Sequence, residues 1–189
     1  MGSGVNTESG LSFMRAGQDE AIRPKAVRTH YHVVCRNRDG EIMWAEDVDN
    51  LVTTAGVNKL LDTTFKTGLT TPAWYAGLIK GGVAPTFAVA DTMAAHAGWT
   101  EIAGTDVSQA NRQTWTPGTI SGGSVDNSAS QAVYNVLTSI TLQGLFMVDN
   151  NTLGGTTGTL YGEAAFATPQ AVQNGYTVNV TATLTITAG

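Results

Sequence analysis

The stretch "YTVNVTATLTIT", residues 176–187, decides the fold. Its even positions are Tyr176, Val178, Val180, Ala182, Leu184 and Ile186, all apolar. Its odd positions are Thr177, Asn179, Thr181, Thr183, Thr185 and Thr187, all polar. Successive side chains on a strand point to opposite faces, so this alternation predicts a β-strand about 40 Å long. One face lies on a core. The other is a row of threonines, suited to solvent or to a neighbouring subunit.

The same pattern spreads through the chain. Asn174-Gly175 just upstream is a turn signal. "TLYGEAAFA" (159–167) reads as a short strand. In "VYNVLTSITLQGLFMV" (133–148), apolar Tyr134, Val136, Ile140 and Leu142 alternate with polar Asn135, Ser139, Thr141 and Gln143. Near the other end, Asp39-Gly40 separates two β-rich runs, which predicts a hairpin with strands at about 30–36 and 41–48. The period then changes. Leu51, Ala55, Leu60, Leu61 and Phe65 recur at helical spacing, with Thr53 or Thr54 to cap the start and Gly68 the end. One helix over about 54–66 follows. "PAWYAGLIKGG" predicts a buried strand at 73–80. In "ADTMAAHAG", Asp91 is placed to cap one or two helical turns from Thr92 to His96. "GWTEIAG" and "ANRQTWTPG" lead to further strands, and 116–130 is a turn-rich connector.

The expected fold is therefore mainly β: an antiparallel β-sandwich or jelly-roll-like barrel with one or two short helices. Residues 29–189 form a single β-rich domain. Residues 1–28, polar and without a sustained period, form an extended N-terminal arm. A chain of 189 residues buries enough surface to fold without staples. Its one cysteine, Cys35, excludes an intrachain disulfide and is expected in the core. No apolar run approaches a membrane span, and the N-terminus lacks the apolar segment of a signal peptide.

Charge is scarce and uneven. Charged residues make up 13% of the chain, about half the usual share. Six of the ten Lys and Arg lie in the first 38 residues: Arg15, Arg23, Lys25, Arg28, Arg36 and Arg38. From Gln113 onward there is no basic residue, and the acids are only Asp126, Asp149 and Glu163. The net charge of −5 argues against nucleic-acid binding. A surface this poor in ions suits burial against other copies or another protein.

Chemistry-bearing residues do not converge. Asp91, His96 and Glu101 fall close together, but five residues on a helix turn about 500°, so Asp91 and His96 do not share a face. No HExxH, GxSxG or phosphate-loop spacing is present. His30 and His32, at i and i+2 on a strand, could point two imidazoles at one ion, yet a third and fourth ligand are missing. Trp44, Trp74, Trp99 and Trp115 are expected as core plugs rather than a sugar platform. The chain is expected to use no cofactor and not to be an enzyme.

Taken in order, "DNLVTTAGVNKLLDTTF", "PAWYAGLIKGG", "ADTMAAHAGWTEI", "ANRQTWTPG", "VDNSASQAVYNV" and "SITLQGLFMV" resemble a group of tailed-bacteriophage virion proteins, some labelled head decoration or tail proteins. The resemblance covers residues 49–187. It implies a structural component of a particle, assembled in the host cytoplasm and displayed on the capsid surface, and carries over no catalytic residues. The expected partners are the major capsid protein and further copies of the chain, as trimer or dimer. Arg15, Arg23, Lys25 and Arg28 of the arm would meet acidic patches on the shell. The alternative is a tail or fibre component that attaches to a host receptor or glycan through exposed aromatics such as Trp115 or Tyr161.

Overall fold

The computed structural model describes residues 27–186. Two antiparallel sheets pack face to face as a β-sandwich. The strands are β1 (Arg28–Arg36), β2 (Ile42–Asp49), β3 (Leu51–Val52), β4 (Trp74–Lys80), β5 (Thr100–Glu101), β6 (Gln113–Trp115), β7 (Ser124–Asp126), β8 (Ala132–Asn135), β9 (Ile140–Val148), β10 (Leu160–Val172) and β11 (Thr177–Thr185). One α-helix, α1 (Thr54–Phe65), and one 3-10 turn (Ser128–Ser130) complete the elements among the described residues. No helix there is long and apolar enough to cross a membrane.

The first sheet runs β2-β1-β11, and β11 ends against two short strands, β7 and β8. The second runs β3-β10-β9-β4, and β4 ends against β5 and β6. Between them lies the main core. Tyr31, Val33 and Cys35 of β1 and Val178, Val180 and Ala182 of β11 meet Ala76, Leu78, Leu145, Met147 and Phe166 of the second sheet. Within β11 the alternation does what its period requires: Val178, Val180 and Ala182 are buried and the threonine face looks outward, while Ile186, past the end of the strand, is exposed. Cys35 is fully buried, and desolvation pushes its thiol up to about 11.

The Asp39-Gly40 hairpin forms with a three-residue loop rather than a two-residue one. Asn37 N–H bonds Glu41 O, Gly40 N–H bonds Asn37 O, and Gly40 sits at φ 85°. That is a tight turn closed by a left-handed glycine, and the ladder slips at Cys35/Arg36 to absorb it. Helix α1 starts at Thr53, whose hydroxyl accepts from Gly56 N–H at 3.0 Å. Gly56 presses on the Tyr161 backbone so closely that a Cβ there has no room.

Several expectations are corrected. Thr92–His96 is not helical: Thr92 and Ala95 form an isolated bridge across a tight turn. The Asp91 carboxylate caps backward, accepting from Ala88 N–H at 2.9 Å. The run 133–148 is not one strand, because β8 belongs to the first sheet and β9 to the second. Arg28 is not in an arm but opens β1, opposite Thr185. Arg15, Arg23 and Lys25 lie outside the described residues.

Candidate functional site

Two polar clusters occupy the two outer faces of the sandwich. On the first sheet, pairing places His30 opposite Asp49 and His32 opposite Asp47. Antiparallel register puts all four on one face, as the i, i+2 spacing predicts. His30 Nδ1 lies 3.0 Å from Asp49 Oδ1, and its Nε2 lies 3.1 Å from Asp47 Oδ1. His32 Nδ1 lies 2.9 Å from the same Asp47 oxygen. The Asp49 hydrogen bond is the main force raising the His30 pKa above its ordinary value. The two imidazoles, His32 first, hold the Asp47 carboxyl below its ordinary range. All four side chains are about half exposed or more, so these pairs are solvated.

His30 and His32 were the candidate metal pair. They do share a face, but Asp47 and Asp49 face their ring nitrogens as ion-pair partners. Among the described residues no group of three or more His, Cys, Asp or Glu is arranged to hold a metal ion. The third histidine, His96, packs over the other sheet.

The outer face of the second sheet is roofed by the loop 83–99. Met93 and Trp99 from the loop seal Ile79, Phe146, Val148 and Leu160 into a second core. Glu163 of β10 lies beneath them, fully buried. Trp99 Nε1 donates to Glu163 Oε2 at 3.0 Å, while Oε1 has no partner among the described residues. Burial, and then the neighbouring Asp91 carboxylate, push Glu163 up to about 8. His96 stacks on Trp99 at 3.6 Å between ring centroids, and burial lowers its pKa. The Trp99 ring in turn leans on Phe146, and the Arg112 guanidinium lies over the Phe146 ring at 5.2 Å from its centroid. Arg112 is nearly fully buried. It binds Glu101 through two nitrogens at 2.8 Å and donates to the carbonyls of Asn150 and Gly155.

Asp91, His96 and Glu101 are therefore drawn into one region, but not onto one reacting point. Asp91 is turned to Ala88 and Glu163, His96 to the face of Trp99, and Glu101 to Arg112. Each has a folding role. Glu163 and Arg112 were missed by sequence reading, since a lone Glu in "YGEAAFA" carries no spacing signal. Its burial arises only when the loop folds over β10. An open depression of about 380 Å³ is lined by Lys80, Gly81, Thr100, Ile140 and Thr141. Its one ionisable group, Lys80, is bound to Asp106 at 2.5 Å.

Three of the four tryptophans are core residues as expected: Trp74, Trp99 and Trp115 are each under a tenth exposed, whereas Trp44 is only partly buried at the edge of the core. Trp115 donates to Ala182 O at 3.0 Å. Tyr161 is 1% exposed. Neither aromatic named for glycan contact is open to a ligand. Compared with protein-family models and with curated proteins, the chain matches none.

Proposed function

We propose that the chain is a structural protein of a tailed-phage particle: a capsid decoration (cement) protein that oligomerises and clamps major capsid protein subunits. The observation that carries this reading is a surface built to be covered by protein. On the outer face of the first sheet, β11 presents an uncharged row of half-buried Thr177, Asn179, Thr181, Thr183 and Thr185. On α1, Val57, Leu61 and Phe65 stand one turn apart and are 38%, 50% and 78% exposed. Free monomers seldom keep such a stripe in water. The block-by-block resemblance adds the particle. A role as a tail or fibre receptor-binding protein remains the alternative, without the aromatics first named for it.

Binding to purified shells tests the reading. The full chain should decorate empty heads in saturating, stoichiometric amounts. Deleting residues 1–26, which leaves β1 whole, should keep a folded domain by circular dichroism and abolish decoration. A protein that ignores heads, or that decorates them equally well without those residues, overturns the proposal or its arm respectively.

A further inference from the structure

Strand β2 is an open edge. It pairs with β1 on one side and with no strand on the other, among the described residues. Strand β10 packs against its inward side chains, where Gln170 donates to Glu46 and Trp44 Nε1 donates to Ala171 O. Asn50 N–H bonds Thr29 O at 3.0 Å, which fixes the alternation of the ladder. The backbone N–H and C=O groups of Ala45, Asp47 and Asp49 consequently point away from β1. An eight-residue edge of this kind is a template for another strand.

The edge also states a preference. Asp47 and Asp49 stand exposed on its outer face and Glu41 just before its start, with no Lys or Arg between them. Pairing β2 with its own copy would set acid beside acid. The complementary segment is within the sequence, in "RPK" at 23–25: two cations at i and i+2, separated by a proline. Side chains at that spacing share a face. The residue between them directs its backbone nitrogen to the outside, the one place where proline costs a sheet nothing.

We infer that residues 23–25 of one copy add as an antiparallel strand to the free edge of β2 in a second copy, Arg23 opposite Asp49 and Lys25 opposite Asp47. The chain's own segment cannot make this contact. Lys25 would lie two strand spacings from β1 and four residues along it from Arg28, about 16 Å away. Three residues span at most about 11 Å. The pairing is therefore between copies, and it stands whether or not the partner shell exists. It assigns Arg23 and Lys25 to a sibling and leaves Arg15 for other contacts.

Sedimentation velocity at low ionic strength, without capsids, tests it with three proteins: the full chain, R23E/K25E and D47K/D49K, each checked for unchanged thermal unfolding. The full chain should associate with rising concentration. Each charge-reversed variant should associate about tenfold more weakly or worse. An equimolar mixture of the two should recover association, because each supplies the segment that fits the other's edge. A monomeric full chain, variants that associate like it, or a mixture that stays apart would each overturn the inference. Loss of head binding with this pattern intact would sink only the decoration reading.

Discussion

The two outer faces of the sandwich have opposite fates. On the second sheet, the loop 83–99 folds back and turns the outer face into a second core, with Glu163 and Arg112 dry beneath it. On the first, the polar stretch of β1 and β2 stays exposed, although Val34 beside it is buried and Gln131 hydrogen-bonds Thr181 and Asn179 on β11. There the side chains of His30, His32, Asp47 and Asp49 stand in water. The same kinds of residue thus do different work. Beneath the roof an ionisable group fixes the fold and is costly to disturb. On the open face it costs little to change and is available to a partner.

That contrast can be broken, starting where the effect is largest. Arg112→Ala leaves the Glu101 carboxylate buried without its cation and strips the donors of Asn150 O and Gly155 O. It should destabilise the domain by about 3–5 kcal/mol in urea unfolding. A loss near that of a surface ion pair would show that this knot is wetter than its burial implies.

Glu163→Gln comes next, and its sign depends on pH. The folded carboxyl holds its proton up to about 8, whereas the unfolded one releases it near 4.5. Between those values the native state binds the extra proton, so stability falls as pH rises, by about 1.4 kcal/mol per unit. The contribution is complete below 4.5 and lost as pH passes 8. Glutamine keeps an acceptor for Trp99 Nε1 and removes the titration. Its stability should lose that slope and keep only the smaller contributions of His30 and His96, and equal slopes in both proteins would refute a buried neutral Glu163.

On the open face the smallest effects are expected. Asp47→Asn or Asp49→Asn should change stability by less than about 1 kcal/mol. Each should lower the His30 pKa toward its ordinary value, as followed by NMR titration. The His30 contribution is present at low pH and lost as pH rises through its raised pKa. A change of several kcal/mol would mean that this face is buried after all.

Much of the fold was legible in strictly local patterns. Period two over 176–187 located β11, Thr53 and the 3.6 period located α1, and Asp39-Gly40 located the first hairpin. The errors fall where local pattern and tertiary context part. Thr92–His96 has a helix-like start, yet Met93 and Trp99 must reach Phe146, and a tight turn aims them there where a helix would not. In 133–148 the alternation fails at Leu137 and Thr138 and resumes at Ile140, and the chain leaves one sheet for the other across that short break. Strand β9 is buried on both sides, and its glutamine at 143 goes with it.

By itself the sequence determined the class of fold, which face of β11 turns inward and the scarcity of charge, because each follows from spacing and composition. Only the tertiary structure decided which charges matter. Burial depends on what lies above a residue, and a loop fifty or more positions away in sequence covers Glu163 while leaving Asp47 in water.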